Sequence, residues 1–296
     1  MGVKMRNRKR MRKECLGFIK FVVPMLTLYT LFFLIPLVQT IYYSFTDYNG
    51  INPKLGWIGL GNYRTVFKDK YFYNSLLFTA LSALLFMAII NVAGFVLAMG
   101  LNRKIRSRNI LRAIIFCPFI FNNVTVGFIW QFLLGRLMTD LYPLTGWEIF
   151  KIGWLSEERL VIYSVVLVKA WQAVGYFMVI YLAGLQMLPQ DPLEAAAIDG
   201  CGGWNRIFKI ILPLMRPTSF VCLFLAITET LNMFPLLMTL TNGGPGHASE
   251  NISLYIYNEA FKSHRMGYAS ALSVILTILV LVVAMLQMRL SKEGDE

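Results

Sequence analysis

Six long apolar runs, at residues 21–45, 76–101, 110–134, 161–187, 217–240 and 268–288, constrain this chain more than any other feature. A helix that crosses a bilayer needs about 20 mostly apolar residues, because ~1.5 Å of rise per residue must cover ~30 Å of hydrocarbon. Each run meets that length. Only 15% of the 296 residues are charged and 57% are apolar. An ordinary soluble domain carries about 25% charged residues, and a disordered chain is poor in apolar ones. Both classes are excluded. The expected fold is all-α, a polytopic membrane protein with six transmembrane helices. The first run has a basic flank, as a secretory signal does. It is longer than a signal core and no small-residue cleavage site follows, so it reads as a retained helix.

The net charge of +12 would suit a nucleic-acid binder if it formed one face. Instead Lys4, Arg6, Arg8, Lys9, Arg10, Arg12 and Lys13 cluster beside the first apolar run. That placement fits a membrane flank, and no nucleic-acid partner is expected. Six spans put both termini on one side. With cytoplasmic termini, the inner segments hold sixteen basic residues besides Lys20 at the edge of the first run, and the outer loops nine. The tight Arg103, Lys104, Arg106, Arg108 cluster sits in a short inner loop, where the positive-inside rule acts most strongly. Both termini are therefore expected in the cytoplasm of a multi-pass cell-membrane protein. The layout is a basic segment over 1–20, a six-helix domain over 21–289 and a short tail over 290–296. The outer loops 46–75, 135–160 and 241–267 are too short for separate domains. They contain Trp57, Trp147 and Trp154, the residue type that anchors at interfaces.

Chemistry-bearing motifs are few. Cys15, Cys117, Cys201 and Cys222 lack metal or disulfide spacing. Only two histidines occur, His247 and His264, so no H-E-x-x-H exists, and no G-x-S-x-G either. No G-x-x-x-x-G-K-[ST] loop is present; Gly243-Gly244-Pro245-Gly246 reads as a turn. The chain is thus expected to be no enzyme and to hold no cofactor or metal of its own.

The inner loop over 188–217 is the most informative stretch. Asp191 suits an N-cap, Pro192 the first helical position and Glu194 the third place after the cap. Ala195, Ala196 and Ala197 have the highest helix propensity, and Gly200 can end the helix in the left-handed region. This predicts a helix of about two turns. After the Gly200–Gly203 corner, Trp204, Ile207, Phe208 and Ile211 recur at helical spacing, an amphipathic stripe that Pro213 and Pro217 close. By itself the pattern also suits a helix hairpin lying on the headgroups. The small alanine face is poor for membrane burial and good for close docking on protein.

Glu194-Ala195-Ala196, Asp199-Gly200, Phe208 and Ile210-x-Leu212-Pro213 resemble the EAA signature of permease subunits of ATP-binding-cassette importers. Thr241-Asn242-Gly243-Gly244-Pro245 and the stretch 257–261 look like the sugar-permease branch of the maltose-transporter F type. The resemblance implies a permease subunit of a binding-protein-dependent, ATP-driven importer of a sugar, an oligosaccharide above all. It implies a second permease subunit, a dimer of ATP-binding subunits carrying ATP and magnesium, and an extracytoplasmic solute-binding protein. Asp191, Glu194, Ala195, Ala196, Asp199, Gly200, Leu212 and Pro213 would couple to the ATPase. The prototype's further N-terminal helices and large outer domain have no counterpart here, so binding-protein contacts are expected on the short outer loops.

Charged groups inside spans are costly and functional by default. Lys169 and Glu229 stand out in the fourth and fifth runs. Lys169, Gln172, Ala173 and Tyr176 share one helical face. The resemblance places the sugar-contacting stripe there, beside Trp171, and on Ala226, Thr230 and Met233. Asn232 is polar and adjacent. The alternative for Lys169 and Glu229 is an interhelical ion pair; for Trp171 and Tyr176 it is packing; for Asn91, Asn122, Asn123, Gln131 and Asn232 it is hydrogen bonding between helices. If Glu229 leaves Lys169 uncompensated, an acidic sugar is expected. The rival function is a secondary transporter or a channel subunit for a small polar solute. Such carriers are built from internal repeats, and the halves here show none.

Overall fold

A computed structural model describes residues 18–293 except 53, 54 and 104. The leading basic cluster, Cys15, Lys54, Lys104 and residues 294–296 lie outside the described residues. Four of the six apolar runs are continuous helices: α1 (Phe18–Tyr43), α3 (Lys70–Leu101), α6 (Val161–Gln186) and α12 (Met266–Glu293). Among the described residues no strand forms beyond an isolated bridge between Thr46 and Trp57. The all-α polytopic reading holds.

The third and fifth runs are not straight spans. The third is α4 (Arg108–Ile120) followed by α5 (Asn123–Thr145), bent by 92°. Pro118 removes a helical donor, Phe121 turns extended (φ −74°, ψ 137°), and the Asn122 side chain accepts from Val124 N at 2.7 Å to cap the next helix. The fifth run opens in α9 (Arg216–Leu231), which follows α8 (Gly203–Leu214) of the preceding loop across a 72° bend at Met215 and has Pro217 in its first turn. A second break at Asn232 and Met233 precedes α10 (Phe234–Leu240), which has Pro235 in its first turn. Hydropathy counts apolar residues and is blind to these backbone switches.

The chain divides into two compact units. Among the described residues, the first comprises 18–68 and 258–277. In it the short α2 (Gly61–Val66) offers Asn62, whose amide donates to Ser44 O at 2.9 Å and Thr46 O at 2.8 Å. Gly267 N donates to Tyr48 O at 2.7 Å, and Phe45 stacks on Trp57. The most apolar stretch of α1 is not buried by the chain at all, which leaves it to lipid or a partner.

Among the described residues, the second unit comprises 69–257 and 278–293. Its core runs along α3 and α6, where Phe86, Ile90, Phe177 and Met178 are fully buried. Phe86 meets Phe177 edge-on. Small residues let backbones approach, as in other membrane bundles. A Cβ on Gly175 of α6 would lie 2.2 Å from Ile115 O and 2.5 Å from Phe116 Cα of α4. No side chain fits there.

Candidate functional site

Two chain breaks in the second unit converge on one polar cluster. Lys169, on α6, is 2% exposed, and its Nζ lies 2.7 Å from Glu229 Oε2 on α9. The same ammonium donates to Asn123 Oδ1 and to Gln172 Oε1, each at 3.3 Å. Gln172 Nε2 donates to Phe121 O at 2.9 Å, a carbonyl freed by the break between α4 and α5. Asn123 Nδ2 reaches Asn232 O, at the break between α9 and α10, at 3.5 Å. Irregular backbone at membrane depth is tolerated where protein buries it or where it lines a wet cavity. Here side-chain amides satisfy carbonyls that the broken helices release. The ion pair is closed: Glu229 neutralises Lys169, so the condition for an acidic substrate is not met.

The proposed stripe is only partly assembled. Lys169, Gln172 and Ala173 are buried, and half-buried Tyr176 stacks on Phe119 at 4.5 Å between ring centroids. Trp171 points away from that face, is 40% exposed and meets Trp130 edge-on. On the fifth run Ala226, Thr230 and Met233 are buried, while Asn232 is exposed. Met233 is not one turn beyond Thr230 on a continuous helix, because α9 ends at Leu231. Glu229 remains 25% exposed, the open side of the cluster. Asn123, expected from the sequence to hydrogen-bond between helices, does so at both breaks, accepting from Lys169 and donating to Asn232 O. The Pro118–Asn122 sequence carried the local signal for that.

Hydrogen bonds elsewhere in this unit link its helices and loops. Tyr181 donates to Asn91 Oδ1 at 2.7 Å, linking α6 to α3. Ile252 N, opening α11 (Ile252–Tyr257), donates to Thr79 Oγ1 at 3.0 Å. The buried Glu250 carboxylate lies 2.6 Å from His247 Nδ1, whose ring packs on Tyr71. No periodicity in the sequence signals this pairing, since both residues lie in a loop.

The loop between α6 and α9 follows its local code, with two corrections. Its first helix, α7, runs Gln190–Ile198, so Asp191 sits in the first turn and is not the cap. The first three N–H groups have no intrahelical acceptor, which lets Pro192 sit deeper than the first position; a first-turn carboxylate still favours the helix dipole. Gly200 has φ +69°, and Cys201 N donates to Ala196 O at 2.8 Å. This is the six-to-one bond of a Schellman ending. Glu194, Ala195 and Asp199 are exposed, while Ala196 is buried. The expected stripe on α8 splits. A π-turn over Ile207–Ile211 shifts the register, so Ile211 is buried while Trp204 and Phe208 stack on each other and stay exposed. Leu212 and Pro213 follow that turn, at the end of α8.

Residues 90–293 match the family of the binding-protein-dependent transport system inner membrane component. The chain belongs to this family. It is a transport permease, multi-pass in the membrane. It is 35% identical over 293 residues to the "Probable starch degradation products transport system permease protein AmyD" of Thermoanaerobacterium thermosulfurigenes, covering 98% of this chain and 99% of that one. It is 30% identical to the multiple sugar-binding transport system permease protein MsmF of Streptococcus mutans, covering 94% and 96%. A crystal structure of a bacterial transporter importing the acidic polysaccharide alginate contains a chain of the same fold, with TM-score 0.82 and 20% identity over 97% of this permease and 99% of that chain.

Proposed function

We propose that this permease forms half of the translocation pathway of an ATP-driven importer for neutral oligosaccharides. A second permease subunit supplies the other half. A dimer of ATP-binding subunits, holding ATP and magnesium, supplies the energy, and this chain carries no ATPase site. A solute-binding protein delivers the sugar on the outer face. Both termini and the α7 segment lie in the cytoplasm, where Asp191, Glu194, Ala195, Ala196, Asp199, Gly200, Leu212 and Pro213 couple hydrolysis to transport. Lys169, Gln172, Ala173 and Tyr176, with Ala226, Glu229, Thr230 and Met233, line the pathway; Trp171 and Asn232 border it.

The observation that carries the substrate class is the closed Lys169–Glu229 pair at the meeting point of two helix breaks. Each carbonyl at the breaks keeps a second lone pair beside its amide partner, the mix of donors and acceptors that hydroxyl groups match. A compensated pair adds no net charge to that pattern. The relatives named for starch products and for multiple sugars point the same way. The rival secondary carrier lacks support, because the family depends on a binding protein.

The test is uptake by the reconstituted importer with labelled malto-oligosaccharides and uronate-containing oligosaccharides of equal length. Neutral sugars are expected to be transported and uronates excluded. Transport of uronates at equal or higher rate would refute the neutral assignment.

A further inference from the structure

A cavity of about 600 Å³ opens where α3 and α6 end, walled on the other side by α7 and the first turns of α8. Its walls are of two kinds. Met99, Leu185, Leu188 and Ile207 continue the apolar surface of the spans, while Arg103, Arg206 and Asn102 offer donors. Among the described residues, none that lines it is a carboxylate. Arg206 Nε is buried and has no hydrogen-bond partner among the described residues. A buried donor left without an acceptor is destabilising, so this group favours whatever brings one. The N-terminus of α8 opens on the same cavity at Gly203, with no side-chain cap on its free N–H groups. Trp204, 74% exposed, stands at the rim, a residue type that settles among headgroups.

We infer that this cavity binds the headgroup of an anionic phospholipid, with Arg103 and Arg206 on the phosphate and the first acyl carbons along Leu188 and Ile207. Guanidinium groups match phosphate oxygens in a two-pronged geometry, and a helix N-terminus adds N–H donors of the same sign. Basic pockets between the ends of spanning helices are suited to such lipids. A soluble phosphate would find the same donors but leave the apolar wall against water, and that wall decides for the lipid. The lipid would brace α7 and α8 against the spans on the ATPase side, the orientation given above. The binding itself is independent of the substrate transported.

The experiment uses the complete importer with its partner subunits, stripped of lipid and read by native mass spectrometry. Phosphatidylglycerol or phosphatidylcholine is titrated back. One tight phosphatidylglycerol per copy of this chain is expected, held well above phosphatidylcholine. Arg103→Gln with Arg206→Gln should weaken it about thirtyfold, the worth of two interfacial cations. Lys209→Gln, a charge on the same helix outside the cavity, should change affinity less than about threefold. Arg103→Lys with Arg206→Lys keeps the charge but not the two-pronged geometry and should lose less binding than the glutamine variant, which separates lost recognition from lost folding. Unchanged phosphatidylglycerol affinity in the glutamine variant would overturn the inference, as would equal affinity for phosphatidylcholine. Displacement of the lipid by millimolar glycerol phosphate would assign the cavity to a soluble phosphate instead. Loss of the ATP-binding subunits from the glutamine variant would mean that a protein covers it.

Discussion

Removing one member of the Lys169–Glu229 pair should cost more than removing both. The two charges lie 2.7 Å apart, with side chains 2% and 25% exposed. Breaking a buried ion pair from one side leaves an uncompensated charge and costs about 3–5 kcal/mol, while replacing both members by neutral groups of similar size is often nearly neutral. The two single variants should also differ. Glu229→Gln strands an ammonium with almost no contact with solvent, so it belongs near about 3 kcal/mol or above. The oxygens of Asn123 and Gln172, already 3.3 Å from Nζ, keep it from the top of that range. Lys169→Met strands a carboxylate that water can reach from its open side, and about 1–2 kcal/mol is expected. Lys169→Met with Glu229→Gln should fall below the worse single variant. The assay is equilibrium unfolding of the purified importer in mixed micelles for the parent, both single variants and the double, read as a double-mutant cycle. A coupling energy under about 0.5 kcal/mol, with the single effects adding, would refute the claim that the pair compensates itself in a poorly solvated site.

Gly200→Val should abolish uptake while the protein still inserts. A Cβ there meets nothing within 4 Å, so the whole penalty, about 1–3 kcal/mol, comes from φ +69°; normal uptake with normal ATPase stimulation by loaded binding protein would remove the coupling role. Gly175→Ala should sharply lower the yield of folded permease, since the backbone of α4 stands in the way, whereas Gly184→Ala meets side-chain atoms of Thr218 and Met215 rather than backbone and should be milder. Size-exclusion recovery compares the two, and equal recovery would count against backbone contact as the cause. Cysteines introduced at Arg106 and at His247 should respond oppositely to an impermeant thiol reagent on intact cells, 247 labelled and 106 protected; the reverse pattern would invert the topology.

The sequence alone determined what short-range physics controls. Spans of about 20 apolar residues are set by hydropathy, and the four unbroken ones appear where the runs lie. The end of α7 is equally local: an alanine run followed by glycine leads to a Schellman bond whatever lies around it. Its start moved by two residues because several first-turn positions tolerate the same residues. The breaks at Phe121 and at Asn232 were half legible. Pro118 and Pro235 mark them, but an average over a whole span dilutes one backbone switch among many apolar neighbours. The π-turn in α8 was not legible at all, since one extra residue per turn leaves no composition signature, yet it decides that Ile211 is buried and Trp204 exposed. The tertiary structure alone decided the charge of the site. Lys169 and Glu229 stand sixty residues apart on different helices, and no periodicity measures a distance between helices. Only packing brings them within 2.7 Å and turns two isolated charges into a neutral pair.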